Sequence, residues 1–352
     1  MASSCSLVVN GKTIRAARGD TLVDAAMTGG VVIPHDCATG QCDTCRVRVY
    51  AGEVDESGTR QGDTVLACQA RVAGDAVIEF DAVPPVAKRR GTLVGMVDLS
   101  HEIVEVTVAL AKPLTSLPGQ YVSCAFAGFP ARDYSPTLRS DGSGEINELI
   151  FHIRRVPDGA VSAELGGRIR PGHDVQIRGP FGSAFHRLGP GRLVLIGAGT
   201  GWAPIWSIAR AARFREPGRE MMVIAGARDP RNLYMGEALD WLRRSGVERV
   251  IATASGGEPG PGRLAGRPTA HLPLLRESDV VHVAGSPGLV AAVRLVAAGV
   301  NATCYADPFV ASARKRTIRH ALFDLLFARR PRAEPGRALS VAAPAEAARG
   351  AA

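Results

Sequence analysis

The sequence predicts three consecutive domains: a small α+β unit, an antiparallel β-barrel and a parallel α/β sheet. The first observation behind this prediction is the segment Ala82 to Gly91, where paired prolines, basic residues and a glycine have the composition of a linker. Short strands punctuated by Gly and Pro follow it, and from Gly191 continuous apolar runs alternate with helical patterns. We therefore assign residues 1–84, 92–189 and 190–309 to the three domains, residues 85–91 to the linker and residues 310–352 to a tail.

The first domain combines two strand patterns with one helical pattern. Leu7–Val9 and Arg46–Tyr50 alternate as strands do, and Thr21–Met27 between them has the pattern of a short helix. Asp20 is the residue that we expect to cap this helix. The resulting unit is a small α+β domain.

The second domain is predicted from short strands and the third from longer apolar runs. Four strands at regular spacing indicate an antiparallel barrel: Val104–Leu110, Tyr121–Phe126, Leu149–Arg154 and Val175–Arg178. Four apolar runs indicate a parallel sheet: Leu193–Ile196, Met221–Ala225, Val250–Thr253 and Val280–Val283. Helical patterns separate these runs, and the first helical pattern covers Ala203–Phe214.

The net charge of +8 is concentrated in the tail. From Val310 onward there are nine basic and three acidic residues, whereas Met1 to Phe309 carries 33 basic and 31 acidic ones. The domains are nearly neutral, so the charge does not indicate nucleic-acid binding. No basic segment followed by a long apolar run opens the chain, and no apolar stretch approaches the ~18 residues of a membrane span. We expect a cytoplasmic protein.

Four of the seven cysteines lie close together at a specific spacing. Cys37, Cys42 and Cys45 are separated by four and two residues, and Cys68 follows after a longer interval. This is the plant-type [2Fe–2S] spacing, in which a short loop brings three thiolates to the cluster and a distant element supplies the fourth. A zinc site would favour a second close cysteine pair, which the sequence lacks. Unrelated buried cysteines are the other alternative.

The barrel region contains a short segment suited to a flavin. Arg132, Tyr134 and Ser135 offer a cation for phosphates, an aromatic face and a hydroxyl, with Arg132 and Tyr134 on one face of an extended strand. An exposed Arg–Tyr pair is the common alternative. The strand that includes His152 and Arg154 follows, and Gly159–Ser162, which contains Val161, is predicted to begin a helix whose N–H groups could hold a pyrophosphate.

The third domain contains a glycine turn between its first strand and first helix. Gly199, Thr200 and Gly201 lie where a dinucleotide pyrophosphate can approach the backbone at a helix N-terminus. The turn departs from the dinucleotide fingerprint, and a plain strand–helix loop is the alternative. A second loop with Gly285 and Ser286 follows a later strand and is expected at the same edge of the sheet.

With these segments in order, the chain resembles the reductase components of ring-hydroxylating dioxygenases of the naphthalene dioxygenase type, within the ferredoxin–NADP reductase superfamily. The resemblance covers about Leu7 to Phe309. It implies a multidomain α+β chain: a β-grasp [2Fe–2S] ferredoxin domain, an antiparallel β-barrel FAD domain and an α/β parallel-sheet nicotinamide-binding domain. Besides the segments above, it is carried by Gly226-Ala227-Arg228, by Leu233-Tyr234 and by Tyr305-Ala306-Asp307-Pro308-Phe309.

The resemblance implies a role for each matching residue. Those that would ligate the cluster are Cys37, Cys42, Cys45 and Cys68. Those that would bind FAD are Arg132, Tyr134, Ser135, His152, Arg154, Gly159, Val161 and Ser162. Those that would contact NADH or NADPH are Gly199, Thr200, Gly201, Arg228, Gly285 and Ser286. The residues implied at the reacting flavin ring are Tyr134, Ser135 near N5, and Phe309 stacked on the ring.

The sequence departs from the family pattern in three places. Ala284 stands where many relatives have a cysteine, Asp133 replaces a proline of the flavin motif, and the chain continues beyond Phe309. Asp229 could bond a ribose hydroxyl and repel a 2′-phosphate, so we expect NADH to be preferred or both nicotinamides to be used. Arg228 and Arg231 could instead bind that phosphate and favour NADPH.

The tail has an amphipathic pattern. Ile318, Leu322, Leu325 and Leu326 recur on one helical face between basic residues. Binding to a partner surface or an acidic membrane, packing on the chain's own domains, and shielding of Phe309 are the alternatives.

The whole pattern predicts an electron-transfer enzyme. NAD(P)H delivers an electron pair and a [2Fe–2S] cluster accepts single electrons, so a flavin between them is required. The expected partner is an oxygenase component or a small ferredoxin. A reductase for a di-iron monooxygenase or a sugar-deoxygenation enzyme, and a redox-sensing binding protein, are the alternatives.

Overall fold

The computed structural model describes residues 4–40 and 43–310. It contains three sheets in the predicted order, so the three-domain fold class is confirmed. The predictions for Cys42 and for the tail from Ala311 onward lie outside the described residues. In the part that the structure describes, no helix is long and apolar enough to cross a membrane.

The first domain is a mixed five-stranded sheet with one helix, α1 (Leu22–Thr28). The strands in spatial order are β2 (Lys12–Ala17), β1 (Ser4–Val9), β5 (Arg71–Glu79), β3 (Arg46–Asp55) and β4 (Thr64–Leu66). Strands β1 and β5 are parallel, and the other pairs are antiparallel. Fully buried Leu7, Leu22 and Ile78 form part of the core between sheet and helix.

The helix cap differs from the prediction by one residue. Thr21, not Asp20, is the N-cap of α1, because its extended backbone brings Oγ1 to the backbone N–H of Asp24 at 3.1 Å. The Thr21 hydroxyl thereby satisfies one of the amides that a helix start leaves without an intrahelical partner.

The second domain is a six-stranded antiparallel sheet that curls into a barrel. The strands in spatial order are β10 (Glu148–Arg154), β7 (Ile103–Leu110), β6 (Ala87–Asp98), β11 (Asp174–Phe181), β8 (Tyr121–Phe126) and β9 (Arg132–Tyr134). Thr137, just after β9, bridges to Ile150 of β10, with its N–H donating to the Ile150 carbonyl at 2.9 Å. The bridge brings the two edge strands together and nearly closes the barrel.

The predicted linker contributes to this barrel. Residues 85–91 were assigned to a linker, yet Ala87–Gly91 are the first part of β6 and pair with β11 in antiparallel register. The paired prolines at 84 and 85 precede the strand rather than interrupt it. The basic residues alternate between exposed and half-buried, as expected for a strand with one face to solvent.

The third domain is a parallel six-stranded sheet with helices on both faces. The strands in spatial order are β15 (Leu264–Ala265), β14 (Arg249–Ala254), β13 (Met221–Ala227), β12 (Leu193–Ala198), β16 (Val280–Gly285) and β17 (Thr303–Pro308). The strand order reverses between β12 and β16, so the crevice for a ligand lies beyond the carboxyl ends of these two strands.

The three helices of this domain explain its continuous apolar runs. Helices α2 (Trp202–Arg215) and α3 (Gly236–Arg244) pack with Leu193 and Leu195, whereas α4 (Pro287–Ala298) packs with Val194 and Ile196. Successive residues of β12 therefore enter two different cores, and every position must be apolar.

Candidate functional site

The cysteine loop, residues 36–45, has a strained backbone where the structure describes it. Ala38 and Asp43 have φ of 54° and 57°, in the left-handed region that non-glycine residues rarely adopt. Gly40 has φ 78°, and a Cβ there would lie 3.1 Å from the Gln69 side chain. Left-handed residues within a turn can direct neighbouring backbone N–H groups to one concave side, which is the arrangement that anionic clusters bind.

Two N–H groups bond the cysteine sulfurs. The Thr39 amide donates to Cys37 Sγ at 3.4 Å, and Gln69 Nε2 donates to Cys68 Sγ at 3.5 Å. The same Gln69 amide reaches the Ala38 carbonyl at 2.9 Å, so it joins the loop to the element that carries the fourth cysteine. The described residues, which leave out Cys42, form no closed group of metal ligands by themselves. The donor chemistry nevertheless fits a cluster, because N–H bonds to cysteine sulfur stabilise thiolate ligands.

Polar side chains of the cysteine loop contact the barrel and α4. The Gly182 amide donates to Thr44 Oγ1 at 3.1 Å, directly beside Cys45. Further contacts of the loop are Asp36 with Arg178 at 2.8 Å, Asp43 with Ser183 Oγ at 3.5 Å and Asp43 with Arg294 at 3.6 Å. The cysteine loop is thus held against the flavin barrel on the side of Asp36, Asp43 and Thr44.

Arg187 joins all three domains at a second contact. Its guanidinium lies between the rings of Phe185 and Tyr305, 3.8 Å and 4.0 Å from their centroids. Two of its nitrogens bond Asp81 Oδ2 at 2.7 Å and 3.0 Å. Since Asp81 follows β5, this arginine fixes the end of the first domain to the barrel and to β17.

The structure places the flavin motif on and just after β9, where the barrel nearly closes on β10. Arg132 and Tyr134 lie on β9, and the Tyr134 ring packs 5.7 Å from Phe151. Burial is the main cause that raises the pKa of Tyr134 above its ordinary range, so its hydroxyl stays neutral. Ser135 is buried and its Oγ donates to Asp307 Oδ2 at 3.5 Å. Burial raises the pKa of Asp307 to about 7, with Asp43 and Asp133 adding to the rise and the Ser135 bond opposing it.

The segment after β10 is not the helix that the sequence predicts. Only Ser162–Glu164 form a single 3-10 turn, and Ser162 Oγ accepts from the Val156 amide at 3.2 Å. This hydroxyl closes the Val156–Ser162 turn, and the chain continues through a second turn to Ile169. Val161 is buried in the barrel core, so only its backbone could meet a ligand. Gly159 lies against Ser162, where a Cβ would come within 2.5 Å of Oγ.

The glycine turn follows β12 at the strand-order reversal. Gly199–Gly201 form a 3-10 turn that leads directly into α2. A Cβ on Gly201 would lie 2.3 Å from the Ala284 carbonyl, so the turn packs on the end of β16 in a way that only glycine permits. Ser286 caps α4, with Oγ accepting from the Leu289 amide at 3.4 Å. The Phe309 amide donates to the Gly285 carbonyl at 2.7 Å, which brings Phe309 to the same crevice.

His152 and Arg154 both contact protein side chains in the structure. His152 is 5% exposed, and its Nδ1 lies 3.1 Å from the Tyr234 hydroxyl of the third domain. Arg154 is exposed and bonds Glu102 at 2.8 Å. Their roles in FAD binding stay predictions, and the contacts that the structure shows are with protein groups.

The strand β13 ends beside the candidate ribose-binding residues. Arg228 is exposed, and Asp229 forms bonds to the Arg231 side chain, the shortest at 2.6 Å. The Arg231 side chain and backbone amide hold the pKa of Asp229 at about 2, so this carboxylate is ionised. The carboxylate and Arg231 therefore offset each other at this edge of the sheet.

Sequence reasoning missed three residues that the structure places at these sites. Asp307 belonged to the quoted motif that ends at Phe309 but received no role. Tyr234 received none because its partner, His152, is distant in the sequence, and for the same reason nothing indicated that Thr44 would bond Gly182. For Asp307, its position two residues before Phe309 was the local signal that could have indicated a place at the site.

Three family models match the chain in the order of its three sheets. They are a 2Fe-2S iron-sulfur cluster binding domain over residues 7–73, an oxidoreductase FAD-binding domain over residues 90–186 and an oxidoreductase NAD-binding domain over residues 195–295. The fold and these matches define an NAD(P)H-dependent oxidoreductase that uses FAD and a [2Fe–2S] cluster.

Characterised relatives narrow this class. The chain is 32% identical, over 85% of its length and 96% of the relative's, to the reductase component of the naphthalene 1,2-dioxygenase system of Pseudomonas putida. It is 34% identical to the reductase subunit of an aromatic O-demethylase of an Amycolatopsis species, over 74% of this chain and 83% of that one. The crystal structure of an Amycolatopsis cytochrome P450 reductase matches 88% of this chain and 100% of its own, with 29% identity and a TM-score of 0.63. The chain belongs to the family of ferredoxin–NAD(P)⁺ reductase components of oxygenase systems.

Proposed function

We propose that this reductase serves an aromatic-ring dioxygenase and passes electrons to the oxygenase component or to a small ferredoxin. The observation that supports it is the match over 96% of the naphthalene dioxygenase reductase component. Such a match extends through all three domains and includes the cysteine loop. We propose a cytoplasmic location, because thiolates that would hold an iron–sulfur cluster suit a reducing compartment.

The proposed electron path follows the domain contacts. FAD, when bound, accepts a hydride and releases electrons one at a time. Arg132, Tyr134 and Ser135 would hold it along β9 of the barrel, and the glycine turn with Gly285 and Ser286 would hold the nicotinamide dinucleotide beyond β12 and β16. Cys37, Cys42, Cys45 and Cys68 would ligate the cluster. The bond between Thr44 and Gly182 keeps the cysteine loop against the barrel, so a cluster held by this loop would lie beside the domain that would hold FAD.

The remaining implied residues act around these groups. Gly159 to Ser162 would meet the flavin phosphates through backbone N–H groups, and Phe309 would cover the flavin ring from the side of the crevice. Ser135 would present its hydroxyl near N5, where Asp307 accepts its hydrogen and, with a pKa of about 7, can hold or release a proton near neutral pH.

Reconstitution with defined acceptors tests this proposal. The reductase would be combined with NADH and a dioxygenase system that lacks its own reductase, and the dihydroxylated aromatic product would be measured. Product formation that depends on the reductase is expected. Rapid reduction of an artificial one-electron acceptor without any transfer to dioxygenase components would exclude this acceptor class while leaving the reductase activity in place.

A cytochrome P450 is the second candidate acceptor. It is favoured by the 34% identity to the aromatic O-demethylase reductase subunit and by the structural match to the P450 reductase. The same experiment with a P450 component in place of the dioxygenase distinguishes the two. Preferred delivery to the P450, measured as formaldehyde released from a methoxylated aromatic substrate, would replace the dioxygenase assignment.

A further inference from the structure

His152 lies between Glu105 and Tyr234 in a row of buried polar side chains where the barrel meets the third domain. The His152 side chain is 1% exposed and that of Glu105 is 8% exposed, and the two approach to 3.8 Å through Nε2 and Oε2. On the other side of the ring, Nδ1 lies 3.1 Å from the Tyr234 hydroxyl, and the two rings meet edge to face with centroids 5.1 Å apart. Among the described residues His152 Nε2 has no hydrogen-bond partner, so the Tyr234 contact is the hydrogen bond that offsets part of the cost of burying this ring at the domain interface.

Tyr234 connects this row of polar side chains to the glycine turn. Its hydroxyl donates to the Gly199 carbonyl at 3.4 Å, and the Trp202 amide at the start of α2 donates to the same oxygen. Burial raises the pKa of Tyr234 above its ordinary range, so the hydroxyl keeps its hydrogen. A carbonyl only accepts, so the hydroxyl hydrogen goes to Gly199 and the bond to His152 requires a hydrogen on Nδ1.

The orientation of the Gly199 peptide decides where the next N–H groups point. Gly199 has φ 56°, and a residue without a Cβ is free to leave this left-handed conformation unless other bonds hold it. The two donors on its carbonyl fix this peptide, and with it the turn that continues through Thr200 and Gly201. A turn fixed before the ligand arrives binds more tightly, because its ordering is not a cost of binding.

We propose that His152 is a positioning residue for the nicotinamide dinucleotide, acting through Tyr234 to hold the glycine turn in its binding conformation. This inference rests on the dinucleotide-binding role of that turn. It replaces direct FAD binding as the role of the His152 side chain, since both ring nitrogens face protein groups. Loss of the His152 bond should therefore weaken dinucleotide binding while the bound flavin is unaffected.

The test uses the flavin-loaded, cluster-containing chain and measures the Kd for NAD⁺ by calorimetry and the KM for NADH. His152→Leu and Tyr234→Phe should each raise Kd and KM by about three- to tenfold, the effect of one hydrogen bond, with kcat retained. The double variant should bind NAD⁺ no more weakly than the single variant with the higher Kd, because each substitution breaks the same coupled contact. His152→Asn, whose amide can donate from nearly the position of Nδ1, should recover most of the affinity.

His173→Asn is the matched control, since that imidazole bonds the Ala127 carbonyl within the barrel. It should leave the Kd for NAD⁺ unchanged. Additive losses in the double variant, or unchanged Kd in folded and flavin-loaded single variants, would overturn the proposal. Loss of FAD from His152→Leu without recovery in His152→Asn would also overturn it and would restore a direct flavin role. If the parent chain binds NAD⁺ but does not supply electrons to a dioxygenase, the proposed function is contradicted and this inference is not.

Discussion

The Gly182 amide donates to Thr44 Oγ1 at 3.1 Å, and this bond joins the cysteine loop to the flavin barrel. Thr44 directly precedes Cys45, which is 2% exposed. This neutral hydrogen bond therefore lies beside a cysteine that would ligate the cluster.

Thr44→Val should slow electron transfer from flavin to cluster. Valine keeps the shape of threonine but cannot accept the Gly182 hydrogen, and the lost bond contributes about 1 kcal/mol. Stopped-flow absorbance after mixing with NADH should show an unchanged flavin phase and a slower cluster phase. Thr59→Val, within the first domain, is the control. If the flavin phase and the cluster phase of Thr44→Val both had the rates of the parent chain, this contact would not set the geometry of electron transfer.

Cys68→Ser should remove the cluster and preserve flavin reduction by NADH. Serine cannot supply the fourth thiolate, so iron should fall well below the ~2 atoms per chain of a [2Fe–2S] cluster. Cys304→Ser is the matched control, because Cys304 lies outside the cluster spacing and burial raises its pKa to about 11. Loss of iron in the control, or loss of flavin reduction in folded and FAD-loaded Cys68→Ser, would contradict the assigned order of the cofactors.

Asp229→Asn should increase the use of NADPH relative to NADH. The carboxylate would otherwise repel a 2′-phosphate, and its bonds to Arg231 hold that cation. Without the charge, Arg231 can turn to the phosphate, and the ratio of kcat/KM values for NADPH and NADH should rise severalfold. Asp240→Asn, at an exposed ion pair with Arg243, should not change the ratio. An unchanged ratio in Asp229→Asn would place the 2′-position of the ribose elsewhere.

Asp307→Asn should stabilise the chain more at high pH than at low pH. Folding raises the pKa of Asp307 to about 7, above the ~3.9 of an unfolded aspartate. Between these values the folded chain holds a proton that the unfolded chain has lost, so the free energy of unfolding falls as pH rises through this window. Asparagine does not ionise and should lack this loss. The Tm of the variant minus that of the parent should increase from about pH 5 to about pH 8.

The matched control for Asp307→Asn is Asp174→Asn on an exposed position of β11. Its Tm difference from the parent should stay constant over the same range. A pH-independent Tm difference for Asp307→Asn would show that its carboxyl ionises in the folded chain as it does in the unfolded one.

Local patterns predicted the fold well where one segment determines the outcome. The apolar run Leu193–Ile196 and the helix after it lie within β12 and α2, because each residue enters one of two cores. The linker prediction was wrong for Ala87–Gly91, since their strand state depends on β11, a segment far along the chain. The helix expected from Gly159 failed because the Ser162 hydroxyl bonds the Val156 amide instead.

The candidate site follows the same rule. The spacing of Cys37, Cys42 and Cys45 is local and was readable, and the glycine turn was readable for the same reason. The bond between His152 and Tyr234 joins residues 82 positions apart, and that between Ser135 and Asp307 joins residues 172 apart. Sequence patterns carry no information about such pairs until the domains are assembled.

The described contacts that hold the cysteine loop to the barrel and α4 lie on one side of the loop. The side that faces the flavin domain therefore differs from the side that is open to an acceptor protein. Asp36, Asp43 and Thr44 face the barrel and α4, while Ala38 and Thr39 in the middle of the loop are exposed. An acceptor that meets the loop at Ala38 and Thr39 leaves the Thr44 bond in place. An acceptor docked there would receive electrons without displacing the contacts that hold the loop to the barrel.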